Sequence, residues 1–285
     1  MRHLLKTNSE CNSGFSIGGN IISELSYADD IACINNSLKQ LQYFLNSLSK
    51  NADEVGLIIN IGKTKCMSTN KIFEPLNIKI YNKVIEQVNS FVYLGHKLSN
   101  KNDGEIPVLH RIGLGWAAFE KNKVLLTSNR VPLHIKKKIY ETYVLPVVLY
   151  GLECVNWTDN LCNKMEVFQN HMMRSMTGTK LKDHVKIITL RQKTNLLPLT
   201  SIIKSKTLKL YGHIKRSNTG VSKLCLEGMI QGKRNRGKPR RRWLDSIKAW
   251  SNLSTRELNT LPHNRKLWRN ISHVSAQSAA GGESE

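Results

Sequence analysis

The sequence predicts an α+β chain: β-hairpins with one packed helix in a first part, then a mainly helical second part. Three observations carry this. Short apolar runs separated by turn residues fill Ile21 to Leu94, the apolar spacing changes from two to 3.6 residues after Gly104, and charge divides at the same place. Met1 to Glu105 holds 11 basic and 10 acidic residues, whereas Ile106 to Glu285 holds 32 and 11, which puts +21 of the net +22 in the last 180 of 285 residues. Four segments are expected: a β-rich part over 1–104, a helical part over 105–180, a basic helical part over 181–272, and a disordered tail over 273–285 rich in Ser, Ala, Gly and Glu.

The elements follow in chain order. Ile21 to Ile34 holds two apolar runs around Ala28-Asp29-Asp30, which is too polar for a strand interior, so a β-hairpin turning at Asp29-Asp30 is expected. Ser37 with Gln40 three residues on forms a capping-box pattern. Leu38, Leu41, Leu45, Leu48, Ala52 and Val55 then recur at helical spacing up to Gly56. Short strands are expected at Leu57 to Ile61 and Cys66 to Thr69 around Gly62, with a hairpin from Ile78 to Val88 about Asn82-Lys83 and a last strand at Phe91 to Leu94. Past Gly104, helices are expected from Ile106 to Leu126, from Pro132 to Tyr150, and from an N-cap at Asp159 to Gly178, with further helical turns from His184 to Gly212. Leu161, Met165, Phe168, Met172 and Met176 mark the core face of the third helix, and Trp243 and Trp250 share one face of a later one.

Composition excludes several classes. An apolar content of 40% with 22% charged residues argues against disorder over the whole length. No apolar run reaches the roughly 18 residues a membrane span needs, and Met1 to Lys6 is not followed by the apolar stretch of a secretory signal. An intracellular protein, nuclear or cytoplasmic, is therefore expected. The six cysteines show no CxxC pair and no zinc spacing, so they are expected to be reduced, most of them buried as small hydrophobes.

Two features could carry chemistry. Asp29 and Asp30 are adjacent carboxylates, costly to ionise together unless a cation neutralises them, although taken alone they read first as a solvated turn, where Asp is common. Divalent-metal chemistry would need further oxygen ligands. Gly232 to Arg242 holds seven cations in eleven residues (Lys233, Arg234, Arg236, Lys238, Arg240, Arg241 and Arg242) and reads as a phosphate-binding arm, an import signal or a solvated linker.

Tyr27-Ala28-Asp29-Asp30, then Gly56 to Lys65, then Phe91-Val92-Tyr93-Leu94-Gly95 resemble, in order and spacing, the C, D and E motifs of reverse transcriptases from non-LTR (LINE-type) retrotransposons. Tyr150-Gly151-Leu152-Glu153 ahead of Trp157, Asp183-His184-Val185, Gly212 to Arg216, and Gly237 to Asp245 resemble the region that follows the polymerase core, so the likeness runs from about Gly14 to Trp268. It implies a partial polymerase palm followed by a thumb-like helical region and a C-terminal region. It implies that Asp29 and Asp30 bind Mg²⁺ or Mn²⁺ and that Tyr27 lines the primer end. Lys65, near Lys63, would face a nucleoside triphosphate unless it lies in a solvated loop. Phe91, Tyr93 and Gly95 would form a primer-gripping hairpin, as well as or instead of packing as strand aromatics. RNA and DNA are the implied partners. The pattern also needs an upstream carboxylate, and no Asp precedes Asp29. The expectation is a 5′-truncated remnant of an RNA-directed DNA polymerase, inactive alone, or a non-catalytic protein that holds RNA or DNA through phosphates.

Overall fold

A computed structural model describes residues 14–69, 75–101, 104–218, 220–230, 236–237 and 241–281. The fold is α+β, with small two-stranded sheets and predominantly helical structure. Among the described residues no helix is long and apolar enough to cross a membrane. The chain divides into two compact units, residues 1–92, 98–102 and 219–237 in one, and 93–97, 103–218 and 238–285 in the other. These do not follow the four expected segments, because residues on both sides of 180 share one core and residues 219–237 join the first unit.

In the first unit, β1 (Phe15–Ile17) and β2 (Asn20–Ile22) form a hairpin through Gly18 and Gly19, and β3 (Glu24–Tyr27) pairs with β4 (Asp30–Cys33). Tyr27 lies opposite Asp30, so the turn is Ala28-Asp29, one residue before the expected place, with Ala28 at φ 52°. A two-residue hairpin turn needs positive φ at its first position, and Ala28 accepts that strain. Helix α1 (Leu38–Glu54) buries Phe44, Leu45, Leu48 and Ala52, while Leu38 and Val55 at its ends are exposed. Ser37 makes no side-chain cap, so the expected capping box does not form; its N–H instead donates to Asn35 Oδ1 at 2.9 Å. Ile78, Ile80 and Ile85 complete the core, and Ile31 and Cys33 pack on it, which seats the Asp29 hairpin on α1.

Leu57 to Ile61 is not a strand. Asn60 Oδ1 accepts from Lys63 N at 3.1 Å, and Asn60 O accepts from Thr64 N at 3.0 Å and Thr64 Oγ1 at 2.8 Å, a local turn that competes with any ladder. Only β5 (Lys65–Cys66) remains, parallel to β8 (Glu86–Gln87). Strands β6 (Lys79–Ile80) and β7 (Lys83–Val84) turn at Tyr81 and Asn82, φ 49° and 61°, again one residue early. Gln42 fixes this hairpin to α1 from both sides of its amide: Nε2 donates to Lys79 O at 2.7 Å and Oε1 accepts from Lys79 N at 2.8 Å. The ribbon of β9 (Ser90–Tyr93) and β10 (His96–Ser99) turns at Leu94-Gly95, both at positive φ.

The second unit begins with α2 (Glu105–Lys121) and α3 (Lys123–Thr127), where one helix was expected. Asn122 breaks it by turning its side-chain amide onto Ala118 O at 2.9 Å. The expected Pro132 helix is α4 (Leu133–Ile139), a π-helical turn over Tyr140–Val144, and α5 (Leu145–Leu149). Pro146 has no N–H to give Thr142, and Leu145 N–H reaches back to Tyr140 O instead, which widens the coil. Helix α6 (Asp159–Thr177) is capped by the Thr158 side chain and not by Asp159, and buries Leu161, Met165, Phe168, Met172 and Met176. Then come α7 (Ile187–Thr194) and α8 (Leu199–Arg216), with α9 (Val221–Glu227) returning to the first unit, where Met229 O accepts from Gly18 N at 2.8 Å. The second unit closes with α10 (Trp243–Ser251), α11 (Thr255–Thr260) and α12 (Arg265–Gly281), so the expected disordered tail is helical up to Gly281. Among the described cysteines, Cys33, Cys66 and Cys162 are half-buried and Cys154 and Cys225 exposed, all free thiols. They are less buried than composition suggests.

Two glycines give a paired test. A Cβ on Gly212 would lie 2.2 Å from Trp268 Nε1, on a ring held by its 2.7 Å bond to Leu208 O, whereas a Cβ on Gly113 meets nothing within 4 Å. Alanine gains about 1 kcal/mol over glycine in a helix, and overpacking costs about 1–3 kcal/mol. Urea unfolding of the whole chain should therefore show Gly113→Ala stabilised by up to about 1 kcal/mol and Gly212→Ala destabilised. Equal shifts in the two variants would refute the contact.

Candidate nucleic-acid interface

The residues that resemble a polymerase site are exposed, and the structure does not gather a metal group around them. Asp29 lies in the Ala28-Asp29 turn and Asp30 opens β4, both exposed, and Tyr27 opposite is 66% exposed. Glu24, the other carboxylate of the hairpin, is at its far end opposite Cys33, with its pKa raised by burial. Among the described residues no cluster of three or more His, Cys, Asp or Glu side chains could hold a metal ion. Two exposed carboxylates do not supply the oxygen set that Mg²⁺ or a two-ion site requires, so these residues alone do not fit the ion.

Lys65 is on β5, not in a loop, and its Nζ is paired with Glu86 Oε2 of β8. That carboxylate already offsets the charge a triphosphate would meet. Of the basic run, Lys233, Arg234, Lys238 and Arg240 lie outside the described residues, and Arg236 is exposed. Arg241 is anchored through its backbone, its O accepting from Asn156 Nδ2. Arg242 N–H donates to Asp245 Oδ2 at 2.8 Å and its Nη2 to Asp245 Oδ1 at 3.3 Å, pairing this cation and holding the Asp245 carboxyl below its usual range. Trp243 Nε1 donates to Glu153 O at 2.9 Å, and Trp157 Nε1 to Leu152 O at 3.1 Å. The Tyr150-to-Trp157 and Arg241-to-Asp245 motifs, some 85 residues apart along the chain, are therefore one packed structure.

Phe91 and Tyr93 point to the half-buried side of β9, and Gly95 is at the tip. That tip, residues 93–97, is held within the second unit by Arg111, which no motif marks, and by Tyr150 and Gly151 of the Tyr150-to-Glu153 motif. Arg111 of α2 is buried; its Nη2 donates to Gly95 O and its Nη1 to Val147 O at 3.3 Å. Its guanidinium lies 4.5 Å from the ring centroid of Tyr150, whose OH donates to Leu94 O at 3.0 Å. His96 packs against Gly151, where a Cβ would come within 2.9 Å of His96 Nδ1. The sequence signal for Arg111 is its place on the stripe Val108, Arg111, Gly115 and Phe119, a lone cation on an otherwise buried face.

Comparison with known proteins adds two likenesses. The chain is 27% identical over 274 residues to an uncharacterized transposon-derived protein of Caenorhabditis elegans, covering 88% of this chain and 95% of that one. It is 27% identical over 184 residues to the RNA-directed DNA polymerase from the mobile element jockey of Drosophila funebris, covering 60% of this chain and 19% of that polymerase. No family profile and no solved structure matches.

The packing around the ribbon tip sets a pH dependence. The His96 pKa is lowered by burial and then by Arg111 and His110, with Glu153 opposing; that of His110 is lowered by burial, Lys97 and Arg111. Unfolded, both imidazoles take up a proton below about pH 6.5, which the folded chain resists. Their contribution to stability is fully present above that value and is lost as pH falls through the lowered folded values. The thermal midpoint should therefore fall between about pH 7.5 and about pH 5.5, and His96→Gln should shrink that fall. An undiminished fall in the variant would remove His96 from the effect.

Proposed function

We propose that this chain is a retrotransposon-derived protein related to the reverse transcriptases of LINE-type elements, and that its own activity is to hold RNA or DNA through phosphate contacts. The two likenesses support a retrotransposon origin. The jockey polymerase's name supports nucleic acid as partner, and the chain spans 19% of that protein's length. The observation that carries the binding reading is the +21 charge of Ile106 to Glu285. Acids there are used in structure: Glu120 pairs with Lys123, Glu166 with Arg191, Asp245 with Arg242, and Glu257 caps α11 through Ser254. Cations outnumber acids by 21 in that span, and Lys and Arg contacts to phosphate carry no base information, so binding is expected to be weakly sequence-dependent.

Nucleotidyl transfer is the second reading, favoured by one observation: Tyr27, Asp29 and Asp30 stand exposed together at a hairpin tip, open to a partner that completes the donor set. The two carboxylates alone leave the chain inactive in this reading. Primer extension with Mg²⁺ or Mn²⁺ should give no product. Template-dependent incorporation that vanishes in Asp29→Ala would make the chain a polymerase. For binding, fluorescence anisotropy with duplex and single-stranded oligonucleotides of unrelated sequence should show similar affinities that fall about a thousandfold between 50 and 200 mM salt, as six or more phosphate contacts require. Absence of binding at low salt would overturn the proposal.

A further inference from the structure

Two stripes of basic side chains face one cleft of about 550 Å³ in the second unit. Lys209, His213 and Arg216 come from α8, and Arg265 and Arg269 from α12. Their spacings of three and four residues put each set on a single helix face. The walls are rigid, because the Trp268 ring is buried between them against Gly212, with its Nε1 bonded to Leu208 O, and Arg216 Nη1 donates to Pro262 O at 2.7 Å. The ends are available: Lys209, His213, Arg265 and Arg269 are exposed.

Among the described residues no acidic side chain lines the cleft. Arg216 has its pKa lowered by burial and, next, by Arg265, so two guanidiniums oppose each other with no carboxylate between them. Like charges fixed together form a site whose cost an anion offsets. Lys209 to Arg216 spans about 10 Å, the rise of about three nucleotides along a duplex strand, so the stripe is too long for one phosphate and fits a row of them. Guanidinium also matches phosphate oxygens in geometry as well as in charge.

We propose that this cleft between α8 and α12 binds consecutive phosphates of a nucleic-acid strand. The proposal rests on the binding reading above and gives it a place in the fold.

The test compares three forms of the full chain by salt titration of binding to a labelled duplex of about 20 base pairs: wild type, Lys209→Ala/Arg265→Ala/Arg269→Ala, and a control that removes three exposed cations elsewhere, Lys121→Ala/Arg130→Ala/Lys138→Ala. Removing three phosphate contacts should lower the slope of log K against log salt by about 2–3, with the control changing it by less than about one. Thermal unfolding checks that each variant is folded, and Arg265→Gln/Arg269→Gln, with an expected loss of about 2, replaces the triple variant if that one is not. An unchanged slope overturns the cleft and leaves nucleic-acid binding standing; an equal loss in the control overturns it in favour of diffuse charge. Tight binding of adenosine monophosphate that only the cleft variant loses, with duplex binding intact, assigns the cleft to small phosphomonoesters and also overturns it. A wild-type chain that does not bind the duplex at all overturns both readings together.

Discussion

A single buried guanidinium organises the entry to the helical unit. Arg111 lies on the face of α2 that Val108, Gly115 and Phe119 also bury, where a charge is tolerated only if its protons find acceptors. It finds the carbonyls of Gly95 and Val147 and the face of Tyr150. Those three acceptors come from a β-ribbon tip, a proline-containing helix and that helix's end. One side chain thus fixes the mutual position of three segments, and Tyr150 adds a second tie through its bond to Leu94 O. Breaking such an arrangement by removing one member leaves buried polar groups without partners, which costs more than the bonds themselves contribute.

The same unit shows how its charge is divided. Carboxylates are used close to home, capping α10 and α11 through Asp245 and Glu257 or pairing across helices as Glu105 does with Lys164 and Glu166 with Arg191. Buried polar side chains serve the backbone too: Gln169 gives Nε2 to Leu197 O and takes Leu199 N–H, and Lys136 gives Nζ to Met176 O at 2.7 Å. Burial lowers the Lys136 pKa, and this carbonyl is its compensation. The excess of cations is set by composition, and the fold decides which of them these acids engage.

Much of the architecture was legible because local rules dominate where apolar spacing is strong. The face of α6 could be read residue by residue and that of α1 through Leu45, Leu48 and Ala52, though not Phe44, as could the change of regime at Gly104 and the hairpin bearing Asp29. Turn placement slipped by one residue at Ala28-Asp29 and Tyr81-Asn82 because non-glycine residues accept positive φ there, which residue type alone does not signal. Leu57 to Ile61 failed as a strand because the Asn60 side chain and carbonyl captured the donors of residues 63 and 64. The return of α9 to the first unit and the joining of Glu153 to Trp243 depend on pairings that no local period reveals. For the candidate site, the sequence indicated which residues to inspect, but not that Lys65 is already matched by Glu86, nor that α8 and α12 face their cations into a common cleft.

The π turn over Tyr140–Val144 has a consequence for register. A helix advances about 100° per residue, and a π turn accommodates one residue more than an α turn, so every side chain after it is rotated by about that angle from where an unbroken α-helix would carry it. Tyr140, Val144 and Val148 all face the core, and Tyr150 comes out of the turn aimed at Leu94 O. A homologous chain one residue shorter here would run as a plain α-helix and deliver its aromatic side chain to the same place, because loss of the residue and loss of the π turn cancel. A chain of equal length without the π turn would carry it about a quarter-turn away from the ribbon. The widened coil thus works as a phase adjuster, and a one-residue gap in this segment would mark relatives that reach the same tyrosine tie without a π turn.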